Sequence, residues 1–375
     1  MFNRFEWTSR DFKKIDNWIV GYAFDALVKM FLPVRRKGLT HIFLSICDHF
    51  EPFWQKVSYE IGLERVKRWY EQWPKIANRY NNGKGNVPQY TFFYPIEEYQ
   101  PQYLAMLSDL CHRGFGEVEI HLHHDNDTES NLRKSLNEFK DILTSKHSLL
   151  SRDKNTGGVS YGFIHGNWAL DNSRPDKRWC GIDNELQILE ETGCFADFTM
   201  PSAPDLTQTS KINSIYYAVD DPKKPKSHDR GIAAQKEKTD REGLLMVQGP
   251  LSLGLFRDKS ELAPLIENGC LAHDYPVSLK RIKRWIHSGI HVKGKPDCLF
   301  LKLYAHGCQE ASMDYLLGQG LDKLFAMFIQ HYNDGRNYLT HFVSARQMVN
   351  VIKSIEAGVS LEDWKTVKNF RFLKI

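Results

Sequence analysis

A chain of 375 residues with 42% hydrophobic and 13% aromatic content can bury a sizeable core, which excludes a disordered polypeptide. The formal charge of +4 is small for this length and the basic residues are interleaved with acidic ones, so the balance alone implies no nucleic-acid surface; the most basic run, 221–230, reads as a solvated loop. Seven irregularly spaced cysteines without a Cys-x-x-Cys pair argue against a disulfide framework, and with no secretory pattern at the N-terminus they predict a cytoplasmic setting.

In chain order, Trp18 to Leu32 reads as an amphipathic helix that rests on the domain or on a membrane surface, with 1–38 set apart as helix and linker. Thr40 to Cys47 reads as a buried first strand ending in Asp48-His49-Phe-Glu51-Pro52. A helix over Glu60 to Tyr80 stops at the Asn/Gly-rich run 81–85, and a second strand, Tyr90 to Tyr94, ends just before Glu97 and Glu98. A helix over Gln102 to Arg113 precedes a strand that runs into histidines. Ser130 to Leu150 is then helical, Tyr161 to His165 extended, Asn184 to Thr192 helical and Phe195 to Thr199 extended. Residues 211–241 read as an insertion, a hairpin over Ile212 to Val219 followed by a polar loop able to cover a site. Further strands are expected at Leu244 to Gln248, Cys298 to Tyr304 and Tyr338 to Val343, with helices near Val277 to His287 and Met313 to Tyr332.

Strands alternating with helices predict an α/β fold with mostly parallel strands, and roughly eight strands in a chain this long suggest a (β/α) barrel forming a single domain over 39–375. In such a fold the site forms where strands end, and the densest chemistry lies in Glu117 to Thr128. On a strand, His121 and His123 share a face; if the chain curls after Ile120, His121 and Asp125 converge across a turn instead. Either arrangement offers ligands suited to zinc or another divalent first-row metal. The other strand ends deliver Asp48, His49 and Glu51, then His165-Gly-Asn167-Trp168, then Ala305-His306. Taken singly, each has a plain structural use as a cap, turn or core residue, but their joint placement favours one pocket.

An acid after the first strand, histidines after a middle strand and Leu303-Tyr-Ala-His306 after a late one together resemble the polysaccharide deacetylases of carbohydrate esterase family 4, and more broadly the glycoside hydrolase/deacetylase superfamily, over roughly Thr40 to Val343. The resemblance implies an irregular (β/α) barrel of the polysaccharide-deacetylase type. It also implies a divalent cation, zinc for preference, held by His49, His121, His123 and Asp125, with Asp48 as general base and His306 as general acid. Where that family carries Arg-x-Pro, this chain has the run that opens Ile164-His-Gly-Asn-Trp168. The implied reaction is metal-dependent removal of an acetyl group from a carbohydrate, in surface polysaccharide metabolism.

For the substrate, Trp168 offers a flat apolar face to a pyranose, and Glu51, His165 and Asn167 offer polar contacts to hydroxyls. Two other readings remain open on the residues alone: glycoside hydrolysis by paired carboxylates, and a non-catalytic glycan-binding barrel.

Overall fold

Side-chain alternation along a few parallel strands organises the whole molecule. The computed structural model describes residues 18–23, 36, 38–81, 87–258 and 261–375. Its strands, in chain order, are β1 (Thr40–His49), β2 (Tyr90–Pro95), β3 (Gly116–Leu122), β4 (Ser151–Asp153), β5 (Val159–His165), β6 (Cys194–Asp197), β7 (Ile215–Ala218), β8 (Ile232–Ala233), β9 (Leu244–Val247), β10 (Ser252–Asp258), β11 (Glu261–Glu267), β12 (Cys270–Leu271), β13 (Cys298–Ala305), β14 (Tyr338–Phe342) and β15 (Phe372–Lys374). All but the β10–β11 hairpin join one sheet, in the order β12-β13-β1-β2-β3-β5-β6-β9-β7-β8, with β14 beside β1 and with β4 and β15 beyond β5. From β12 to β9 along this path every pairing is parallel; β7 and β8 at one end, and β4 and β15, are antiparallel.

The mixed α/β architecture and mostly parallel sheet follow the expectation, and among the described residues the strands form an open path in which closure of the irregular barrel is not shown. Its end strands, β12–β13 and β7–β8, do not pair with one another. The gap is crossed by irregular backbone: Phe300 N–H donates to the Ile290 carbonyl, Lys293 N–H to that of Ala234, and Ala234 N–H to that of Ile215. These short segments supply single hydrogen bonds where a strand would supply a ladder. The expected strands at 40, 90, 161, 195, 244, 298 and 338 are all formed. Of 1–38, only 18–23, 36 and 38 are described; there Trp18 packs with Ala203 and Leu251, and most of the expected amphipathic helix lies outside the described residues. Residues 211–241 contribute β7 and β8 to the sheet edge.

Because successive side chains of a strand point to opposite faces, each parallel strand feeds two layers. Ile42, Leu44 and Ile46 of β1, Val118 and Ile120 of β3, and Leu301 and Leu303 of β13 pack outward with Trp69, Leu104, Leu136 and Phe325 of the covering helices. Phe43 and Cys47, Phe93, Ile164 and Phe300 pack together on the inner face. The inner column of β3 is polar throughout: Glu117, Glu119, His121 and then His123 beyond its end.

At the N-terminal end of that column Glu117 is buried against Arg346, with Nη2 at 2.6 Å and Nε at 3.0 Å, and Ser344 Oγ donates at 2.8 Å. Arg346 comes from the first turn of the helix Ala345–Glu356, which Ser344 and Gln347 cap reciprocally, and its Nη1 also donates to the Phe372 carbonyl. Burial opposes ionisation of Glu117, but the charge and hydrogen bonds of Arg346 outweigh it and hold the carboxyl below its ordinary value. Its contribution to stability is therefore present above the unfolded pKa and is lost as pH falls through the folded value. Arg346→Met is expected to cost about 3–5 kcal/mol at neutral pH, because it leaves a buried carboxylate unpaired. Urea melts should show the loss shrinking in acid, where Glu117 is protonated; a loss independent of pH would contradict the ion-pair account.

Candidate active site

The register of the sheet sets the ends of its central strands at one level. Asp48 pairs with Ala305, His49 with Phe93, Pro95 with His121, and His121 with Ile164. Inner-face parity then brings His49, His121 and, beyond the strand ends, His123 and His306 toward one point, where Glu51 meets them. The ring centroids of His49 and His121 lie 5.0 Å apart, those of His49 and His306 4.8 Å, and those of His121 and His123 4.5 Å. Glu51 Oε1 is 3.3 Å from His121 Nε2 and 3.6 Å from His123 Nε2. Donor atoms of His49, Glu51 and His306 fall within 4.8 Å of one another, as do those of Glu51, His121 and His123.

His121, His49 and Glu51 form the buried floor, while His123 and His306 are only half-buried and mark the mouth. His121 Nδ1–H donates to the Ile164 carbonyl at 2.8 Å, which turns Nε2 into the pocket toward Glu51. His123 Nδ1 is tied to Glu97 Oε1 at 2.5 Å, so its Nε2 also faces Glu51. Burial and the neighbouring His306 and His121 hold His49 well below its ordinary pKa. Burial works against a charge on His123 too, yet the hydrogen bond and charge of Glu97, with Glu51, raise its pKa. Glu51 is lowered: burial opposes its charge, and the hydrogen bond and charge of His121 overcome that.

This donor set fits a divalent cation. Ligand atoms about 2.1 Å from a tetrahedral centre lie about 3.4 Å from each other, which is the spacing of Glu51 and its histidines. The carboxylate of Glu97 and the carbonyl of Ile164 on the remote ring nitrogens orient the rings as outer partners of a metal site do.

Several residues expected in the pocket lie elsewhere. Asp48 has outward parity. Its Oδ1 accepts the Gly307 N–H at 2.7 Å, and its carboxyl lies beside Tyr90 with Trp69 close by, in the layer under the covering helices. Burial pushes it up to about 7. Asp125 accepts the Trp179 N–H at 2.6 Å and joins neither donor group. His165 also has outward parity, and its Nε2 meets His124 Nε2 at 2.8 Å. Trp168 does border the site, its ring 6.2 Å from that of His49 and 6.3 Å from that of His306, and its buried indole N–H has no partner among the described residues. Asn167 and Trp168 both have left-handed backbone, in a turn opened by Gly166. A Cβ on Gly166 would sit 2.2 Å from the His123 ring, so only glycine lets the Trp168 turn pass so close to the pocket.

No family model matches the chain, and no curated protein sequence matches it. Three solved chains match it in structure; one is a supposed polysaccharide deacetylase from Mycobacterium smegmatis, at 12% identity and a TM-score of 0.43, covering 87% of this chain and 94% of that one. That likeness is too distant to carry the role of any residue across.

Proposed function

We propose that the protein is a metal-dependent hydrolase that removes an acetyl group from a carbohydrate, in surface polysaccharide metabolism, with zinc as its cation. The observation that carries this reading is the cluster of four histidines around Glu51 at the ends of parallel strands, bordered by Trp168. His121 and His123 would hold the cation, with His49 beside them on the floor of the pocket. Bound there, it would polarise the acyl carbonyl and acidify a water molecule. Glu51, ionised and fixed between His121 and His123, takes the proton of the attacking water. His306, whose donor nitrogen lies within 4.8 Å of the Glu51 carboxylate, receives that proton from Glu51 and passes it to the departing amine or alcohol as the acyl C–N or C–O bond breaks. Asp48 anchors the His306–Gly307 turn from behind by accepting the Gly307 N–H.

The unpaired Trp168 N–H and the ring beside it supply a donor and an apolar face for a pyranose. Asn167 on the same turn is placed to meet a hydroxyl. All seven cysteines are free thiols, which supports a reducing, cytoplasmic setting. Among the described residues no helix is long and apolar enough to cross a membrane.

Acetate release from acetylated oligosaccharides tests the reading. Zinc-loaded protein is expected to release acetate, to stop after chelation, to recover with added zinc, and to fall to background in His121→Ala. Full activity in that variant would remove the metal role. Reducing-sugar release that survives the chelator would transfer the site to glycoside hydrolysis by carboxylates.

A further inference from the structure

On the opposite face of the same strand ends, we infer that the chain holds a second, closed metal site made of His124, His165, Cys180 and Glu185. This inference does not rest on the proposed hydrolysis.

Alternation sends His124 away from His123, and His165 away from Ile164, so the two histidines meet in the outer layer above the helix Glu185–Glu191. His124 Nε2 is 2.8 Å from His165 Nε2 and 3.1 Å from Glu185 Oε1. Glu185 Oε2 is 3.5 Å from His165 Nε2 and 3.4 Å from Cys180 Sγ. All four donors lie within 4.8 Å of one another, and the separations of 2.8, 3.1, 3.4 and 3.5 Å bracket the edge of about 3.4 Å that a tetrahedral zinc site requires. His165, Cys180 and Glu185 are fully buried and the His124 side chain nearly so, leaving no open position for substrate. That closure is the mark of a structural site rather than a catalytic one.

Proton accounting sharpens the case. His165 Nδ1 lies 2.6 Å from the Gly166 carbonyl, which only accepts, so the proton is on Nδ1 and Nε2 carries a lone pair. His124 Nδ1 faces Asp127 Oδ2 at 3.1 Å, which places a proton on that nitrogen as well. Two Nε2 atoms at 2.8 Å therefore need a cation or a second proton on His124 between them. A proton would satisfy both histidines and Glu185 and leave the Cys180 S–H to Glu185 Oε2 and the Ile182 carbonyl; a soft divalent metal would draw all four groups onto one centre. Outer partners, Asp127 and Gly166, already fix both rings.

The site would staple the ends of β3 and β5 to the loop 166–184. Besides the Trp168 turn, that loop has left-handed backbone at Asp171, Asn172, Lys177 and Trp179. Its clasp would thus hold the Trp168 turn at the pocket mouth. Lys177 and Arg178 lie exposed in the same loop, so trypsin reports on its release.

Cobalt(II) loading of the full-length protein is the direct test, because a thiolate ligand gives a near-ultraviolet charge-transfer band that the histidine and carboxylate ligands of the other cluster do not. The expected result is such a band in the wild type. It should disappear in Cys180→Ser together with one equivalent of bound metal, and persist in Glu51→Gln whatever that variant does to hydrolysis. Chelated wild type should also be cut by trypsin after Lys177 or Arg178 at least about tenfold faster than zinc-loaded protein. If Cys180→Ser does not fold, Glu185→Gln, which keeps the side-chain volume, is expected to retain the band with altered visible absorption and weakened metal affinity. Absence of the band in cobalt-saturated wild type, or its survival in Cys180→Ser, overturns the site. So does a metal-free protein whose His124 is doubly protonated and does not bind cobalt.

Discussion

Glu51→Gln is expected to lower kcat on an acetylated oligosaccharide by about 10²–10⁴, the usual worth of a positioned general base, with little change in KM or in thermal stability. Glutamine keeps the volume and the acceptor oxygen that faces His121 and His123, so packing of the floor survives. What it loses is the negative charge that takes the water's proton. Asp48→Asn in the same assay is the control that gives the result meaning. Asparagine still accepts the Gly307 N–H, so a residue that only anchors the His306 turn should tolerate the change within about tenfold. A loss of about 10²–10⁴ in Asp48→Asn together with a mild Glu51→Gln would restore Asp48 as the base and demote Glu51 to a ligand or substrate contact.

The contrast between these two carboxylates shows how far the sequence could be read. Position along a motif suggested Asp48 as base, but parity was already decisive: with His49 inward on β1, Asp48 must point out toward Trp69 and Tyr90. The same rule correctly pairs His121 with His123 on one face and, applied once more, separates His124 and His165 from them. Glu51 was harder to place. It lies past the end of β1, in a turn where Phe50 N–H donates to the Phe93 carbonyl and the Glu51 carbonyl accepts from Trp54 N–H, beyond the reach of strand alternation.

Cys180 and Glu185 had no local signal at all, since a loop with several left-handed residues brings them to His124. The parallel strands were legible because each is a buried apolar run followed by polar residues. The crossing between the two ends of the sheet was not, because it runs through the irregular segments around Ile290 and Ala234 that carry no strand pattern. The helix Ala345–Glu356 did carry a signal, the Ser344-x-x-Gln347 capping box, that periodicity alone passed over.

His306→Gln should separate proton delivery from every other role of that ring. A sugar amine or alcohol leaves poorly unless it is protonated, so on an N-acetylated oligosaccharide the variant is expected to lose about 10²–10⁴ in kcat. A phenyl acetate releases a stabilised phenolate and needs no such proton; there the loss should stay within about tenfold. Geometry gives the ring two possible uses, since His306 shares the 4.8 Å donor group with His49 and Glu51 while standing at the half-exposed mouth beside Trp168. Metal content measured on the same preparations decides between them. Unchanged metal with loss confined to the poor leaving group assigns His306 to protonation of the departing atom. Equal losses on both substrates with metal released would make it a ligand, and the proton would then have to reach the leaving group from Glu51 itself.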